Sequence, residues 1–326
     1  MNATVKKVVG ASALGALSVV ELLHLQQANA TPVTFTGSTF ANPRGGSVQV
    51  AITVDGASGG NRVLINKLIW SDEFSGNPKG TLDDRYWTAN IGTYSSFLPT
   101  INSPSNVRVN ENNSGVLTIK TSAIAHPSLY TGLCAGVPCK FQSGEISTRG
   151  KLSFRYGYLE ARIKVPTGSG NLPAFWMLPA GNYGESGLPT PGEIDVMEWY
   201  GNTPNKIWST IHFPSGLNGL DKNDESRTQP FSIPESFSDA FHTFAVLWEP
   251  KEITFFVDAR RFATFRPSDA TTWPFDSAFY LILNGNVGPQ PNRNMGGNWG
   301  SSSPSVYSVD WIRYRNANGL GETSAR

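Results

Sequence analysis

The chain has 326 residues, enough for one large domain with a substantial core, and carries 26 Lys and Arg against 25 Asp and Glu, a formal net charge of +1. So even a balance gives no electrostatic case for nucleic acid or a membrane surface as partner. With 33 Gly, 22 Pro, nine Trp and few runs of strong helix formers, the composition points to an all-β protein with many turns.

Met1-Asn2-Ala3-Thr4-Val5-Lys6-Lys7 opens the chain, an apolar run extends from Val8 to Val20, and Ala28-Asn29-Ala30 follows. Basic start, short apolar core and A-x-A ending read as a secretory signal peptide over residues 1–30. The run is too short to span a bilayer and no later one is long enough, so the mature protein is expected to start near Thr31, soluble and secreted. Residues 31–63 are rich in Gly, Ser and Thr. Within them Val48, Val50, Ile52 and Val54 alternate, as an edge strand or as part of a loose N-terminal extension.

From Leu64 the signals become regular. Strands are predicted at 115–120, 144–148, 157–165, 174–178, 193–200, 208–213, 242–248, 252–257, 278–284 and 305–315, with turn residues between nearly all of them. The pattern is that of a two-sheet antiparallel sandwich, a jelly roll, filling one domain over 64–315. The tail, 316–326, is expected to be disordered. Cys134 and Cys139 lie either side of a Gly-Pro turn, and in an exported chain they are expected to form a disulfide, two free thiols being the alternative.

The chemistry concentrates in Glu193-Ile194-Asp195-Val196-Met197-Glu198. Pro189, Pro191 and Gly192 before it, and Gly201 and Pro204 after it, leave no room for an ordinary helix. In a strand Glu193 and Asp195 share a face, whereas Glu198 falls on the other. One extra residue, a β-bulge at Val196–Met197, would return Glu198 to the side of the other two. Three carboxylates on one half-buried face repel one another and raise each other's pKa, so stability alone does not account for them. Two carboxyls with separated pKa values are what cleavage of a glycosidic bond requires.

Several further segments resemble one family, glycoside hydrolase family 16, the laminarinase and lichenase group. They are Trp70-Ser71-Asp72-Glu73-Phe74-Ser75-Gly76, the strand Tyr156–Lys164, Pro173-Ala174-Phe175-Trp176-Met177-Leu178, Trp273-Pro274-Phe275-Asp276, Tyr280–Asn284 and Val309-Asp310-Trp311-Ile312-Arg313. The bulged E-x-D-x-x-E form resembles the endo-β-1,3-glucanase branch. The resemblance implies a jelly roll whose concave sheet forms an open sugar-binding cleft. It also implies a retaining mechanism, with Glu193 as nucleophile, Glu198 as acid/base and Asp195 assisting. Retention places the two glutamate carboxyls about 5–5.5 Å apart.

His212 shares a face with Trp208 and Thr210 on the next strand, and the resemblance puts it in the cleft as an assisting group; a core histidine is the alternative. Trp176, Trp199 and Trp273 match cleft positions, where flat rings stack on sugars, and Asn284 a position that meets sugar hydroxyls. Glu73 and Asp310 match the ligands of a structural calcium; no cofactor is implied for catalysis. Many members carry Arg where this chain has Glu145 and Tyr158, and Glu at the first position resembles lichenases, where it meets substrate. The partner implied is a polysaccharide: β-1,3-glucan first, mixed-linkage glucan second, a red-algal galactan third. The protein acting on it is expected to be monomeric. A transglycosylase, or a β-glucan-binding protein that no longer cuts, remains the alternative of a different class.

Overall fold

The computed structural model describes residues 52–55, 62–75, 80–92, 99–126, 134, 139–181, 192–214, 224–287 and 304–325. The signal-peptide reading, the start near Thr31 and the alternation at Val48 and Val50 lie outside the described residues. In chain order the strands are β1 (Ile52–Asp55), β2 (Arg62–Asp72), β3 (Thr88–Ala89), β4 (Thr100–Asn102), β5 (Val107–Val109), β6 (Leu117–Ala123) and β7 (Phe141–Ser143). Next come β8 (Glu145–Ser147), β9 (Leu152–Arg155), β10 (Gly157–Lys164), β11 (Asn171–Pro179), β12 (Glu193–Trp199), β13 (Lys206–Pro214) and β14 (Asp224–Ser232). The last are β15 (His242–Glu249), β16 (Glu252–Val257), β17 (Arg260–Phe265), β18 (Phe279–Val287), β19 (Ser305–Ala317) and β20 (Glu322–Ala325). Among the described residues the only helical pieces are short 3₁₀ turns.

The strands form two sheets. The first runs β17-β16-β15-β10-β19-β6-β7-β4, with β2 also on β19, β1 on β2 and β5 on β6. The second runs β14-β13-β12-β11-β18-β8-β3, with β9 on β18 and β20 on β9. Neighbours along these paths are antiparallel except β4 and β7. This is the predicted all-β jelly-roll sandwich.

Alternation of side chains builds the core between the sheets. Leu159, Ala161 and Ile163 of β10 and Phe244, Val246 and Trp248 of β15 pack in one cluster with Phe175 and Met177 of β11 and Leu281 and Leu283 of β18. The intervening residues of β11 and β18, Ala174, Trp176, Leu178, Tyr280 and Ile282, form a separate apolar cluster on the opposite face of the second sheet. Both strands are therefore buried on both sides. A sheet face that carries its own apolar floor instead of a polar solvated surface is suited to hold a ligand.

Two expectations about the covalent frame and the ends resolve differently. Cys134 and Cys139 form a disulfide, so the free-thiol alternative is set aside. The tail is a correction: Glu322–Ala325 is a strand paired with Leu152–Arg155. Tyr314 Oη accepts the Glu322 backbone N–H at 3.0 Å, and Arg155 pairs with the Glu322 carboxylate at 2.9 Å. The side chains of β20 are all exposed, so its order comes from backbone pairing, which leaves no apolar pattern to read.

Candidate active site

β12 lies third in the second sheet, between β11 and β13. Glu193 stands opposite His212, Asp195 opposite Thr210 and Glu198 opposite Trp208, with the register shifting between Asp195 and Glu198. The matching shift on the β11 side falls between Phe175 and Trp176. This is the bulge at Val196–Met197. Both of these residues are buried in the main core with Ile194, so Glu198 returns to the face of Glu193 and Asp195. Two consecutive inward-facing residues are the physical reason for the motif's spacing.

Electrostatics on this face are dominated by crowding. Asp195 is almost wholly buried, and His212 Nε2 lies 3.2 Å from its Oδ2 and 3.9 Å from Glu193 Oε1. Burial holds the Glu193 pKa well above the usual carboxylate range, the Asp195 charge adds to the rise, and His212 opposes it. Among the described residues, Glu193, Asp195 and His212 are the one group of three or more potential ligand side chains gathered within 4.8 Å of one another. His212 thus lies against both Asp195 and Glu193.

The floor and flank extend the site sideways. Trp176 lies opposite Asp195 and Ile282, and its indole N–H donates to Asn284 Oδ1 at 2.7 Å. Asn284 in turn stands opposite Glu145 on β8. The Glu145 carboxylate accepts from Asn90 Nδ2 at 2.6 Å and from Asn102 Nδ2 at 3.1 Å. Burial raises its pKa, and the two amide bonds hold the rise back. A cleft of about 360 Å³ opens here, lined by Asn90, Asn102, Glu145, Ser147, Tyr280 and Ile282. Tyr280 and Ile282 also belong to the apolar floor around Trp176, so the cleft continues that face.

Three sequence assignments need correcting or relocating. Trp199 is fully buried in the main core, with its indole N–H on Pro204 O at 3.1 Å. It follows Glu198 directly, so alternation turns it inward, away from sugar. Trp273 packs edge-on against Phe275 at 4.9 Å and against the main core, with its Nε1 buried and unpartnered. Its neighbour Pro274 packs beside Gly192, directly before Glu193, and Thr272 donates to Pro214 O at the end of β13. Glu73 is held by the Arg313 guanidinium through two bonds of 2.9 Å, and Asp310 by Arg162 at 2.5 Å. Each carboxylate is thus paired with an arginine guanidinium. These residues as arranged do not fit a calcium ion.

Sequence reading missed Tyr200 and the two asparagines. Tyr200 donates its hydroxyl to Glu198 Oε1 at 3.0 Å and packs edge-on against Trp208 at 4.6 Å. Its place two residues beyond Glu198 was the available signal. Asn90 and Asn102 lie on distant short strands and loops, and no spacing links them to Glu145.

A β-sandwich with a carboxylate triad over an apolar floor is the build of a glycan-cleaving enzyme. Residues 95–313 match the sequence profile of Glycosyl hydrolases family 16, and the chain belongs to that family. It is 34% identical to the glucan endo-1,3-beta-glucosidase A1 of Niallia circulans over 76% of this chain and 37% of that protein. It is 31% identical to a beta-glucanase of Rhodothermus marinus over 82% of this chain and 91% of the relative. The chain thus spans well under half of the first relative and nearly all of the second. Among solved structures, the endo-beta-1,3-glucanase of Pyrococcus furiosus superposes with a TM-score of 0.64 at 28% identity, covering 82% of this chain and 98% of the other.

Proposed function

We propose that the protein is a secreted, monomeric, retaining endo-hydrolase of β-1,3-glucan. The observation that carries this reading is the bulge in β12, which puts Glu193, Asp195 and Glu198 on one face above the Trp176 floor. In the first step the Glu193 carboxylate attacks the anomeric carbon while Glu198 gives its proton to the departing glycosidic oxygen. The glycosyl–Glu193 ester is then hydrolysed by a water whose proton returns to Glu198, restoring both groups. Asp195 and His212 lie against the nucleophile and set its charge: burial and Asp195 favour its proton, His212 favours the carboxylate. Trp176 offers an apolar surface to a sugar ring, and Asn284, fixed by the Trp176 N–H, a polar group beside it. The similarity to glucan endo-1,3-beta-glucosidases supports the linkage.

Mixed-linkage glucan is the second reading, and Glu145 is its observation. A carboxylate held by two amides in the flanking cleft is a strong acceptor for sugar hydroxyls, at a place where many members carry Arg. Product analysis on laminarin, lichenan, curdlan and agarose, run beside Glu193→Gln, separates the readings. Glucose oligomers from laminarin and curdlan that vanish in the variant are expected. Products from lichenan alone would move the linkage, products from agarose alone would move the sugar, and no products at all would leave a binding protein.

A further inference from the structure

Glu193 stands where β12 is least supported by its ladders. On the β11 side the pairing ends at Met177–Ile194, so Glu193 is paired toward β13 alone, with His212. A strand end held from one side opens readily unless something else packs on it. The carboxylate it carries must nevertheless be presented to an anomeric carbon with little positional freedom. What packs there is the turn at 271–276 that leads into β18. A Cβ added at Gly192, directly before Glu193, would lie 3.1 Å from Pro274 Cγ and 3.2 Å from Phe279 Cζ, closer than side chains ordinarily approach. Gly192 also has a φ of 111°, which residues with a Cβ rarely adopt. Glycine there lets the backbone lie directly against the proline ring.

The turn is itself tied to both sheets. Thr272 Oγ1 donates to Pro214 O at the end of β13 at 3.0 Å, and Thr271 Oγ1 to Glu225 Oε2 on β14 at 3.1 Å. From the first sheet, the Trp248 indole N–H donates to Phe275 O at 2.9 Å. The Tyr156 hydroxyl, just before β10, donates to Asp276 Oδ1 at 3.0 Å. Phe275 is fully buried, and Trp273 meets it edge-on at 4.9 Å. Each residue of the turn except Pro274 is thus fixed by a hydrogen bond or a ring contact, and Pro274 is the one seated on Gly192.

We propose that Pro274 is a positioning residue for the nucleophile: seated on Gly192, it fixes the end of β12 from which Glu193 is presented to the substrate. The assignment rests on Glu193 being the nucleophile. A proline ring has almost no rotamer freedom, so it passes the fixed position of the turn to the backbone it touches at little entropic cost. The rest of β12 is held by the main core through Ile194, Val196 and Met197. Loosening the turn therefore disturbs Glu193 while leaving the strand, and the apolar floor around Trp176, in place.

Pro274→Gly removes the ring, and its melting temperature shows whether it has folded. On laminarin its kcat is expected to fall about tenfold or more, with KM within about twofold of the wild type. The rate at which an activated 2-deoxy-2-fluoro laminari-oligosaccharide labels Glu193 falls by the same factor. Pro274→Val returns a branched side chain to Gly192 and recovers both rates to within about threefold. Thr272→Val keeps the shape of the turn and removes its bond to Pro214 O. It shows the same split at about threefold, and serves should Pro274→Gly not fold. A folded variant with raised KM and unchanged kcat would overturn the proposal. So would a label on Glu193 that forms at equal rates in the wild type and the variants. A label found away from Glu193 in the wild type would instead remove the nucleophile reading, and this assignment with it.

Discussion

Glu193 illustrates how one side chain couples function to stability. Its folded pKa is raised first by burial and then by Asp195, so the charged form that attacks substrate is the form the fold disfavours. A carboxyl raised on folding contributes stability below its unfolded pKa of about 4.3, and that contribution is lost as pH climbs through the folded value. Glu193→Gln should therefore melt above the wild type at pH 7, with the gap closing as pH falls toward 4, and each kcal/mol reads as roughly 2–4 °C. A scan of melting temperature against pH for both proteins checks the sign. Enzymatically, the acidic limb of the wild-type rate profile should lie above that of an ordinary glutamate. Two tryptophans divide along the same line between function and fold. Trp199→Ala empties the core and should cost about 3–5 kcal/mol. Trp176→Ala removes the cleft floor beside Asp195, so it should raise KM for oligosaccharide while the protein stays folded. Urea titration and steady-state kinetics on the pair distinguish the two effects.

Strands decide which residues meet, and here the sequence was unevenly legible. Glu193–Trp199 was readable in full, bulge included, because two apolar residues in succession within an alternating strand have one reasonable explanation. Trp199 directly follows Glu198, so alternation turns it into the core, which a family resemblance by itself does not disclose. β10, β15, β16 and β19 were readable from periodicity. β14 and β20 were not. β14 is a polar edge strand whose order comes from pairing with β13, and β20 hangs on β9 with every side chain in solvent. Such strands carry no hydrophobic signal for a reader of sequence. Glu145 was legible as a candidate, but Asn90 and Asn102 arrive from 55 and 43 residues away, which only the fold could disclose. Truncation after Gly321 removes β20 and the Arg155–Glu322 pair without touching β11 to β14. The melting temperature should fall by a few degrees while kcat/KM on laminarin stays within about twofold. A truncated protein with full stability would show that β20 contributes nothing.

At the scale of the whole molecule the two sheets do different work. The second presents the carboxylates and the apolar floor, while the first backs it through the shared core. On that first sheet Arg313 takes Glu73, Arg315 approaches Glu160 at 3.5 Å, and Arg162 takes Asp310. These cross-strand ion pairs hold β10 and β19 to the segment after β2, and the arginines occupy the carboxylates that a calcium ion would need. EDTA should therefore leave the melting temperature unchanged. A fall reversed by added calcium would show that the arginines yield to the ion. Among the described residues no helix is long and apolar enough to cross a membrane.

The retaining mechanism stands or falls on the bond formed at Glu193. Incubation with an activated 2-deoxy-2-fluoro laminari-oligosaccharide, which slows the second step more than the first, should trap the glycosyl-enzyme, and peptide mass spectrometry should find one sugar on Glu193 and none on Glu193→Gln. A label on Glu198 or Asp195 would reassign the nucleophile. An enzyme that cleaves laminarin yet never accumulates a covalent intermediate, and releases inverted product, would contradict the retaining mechanism itself.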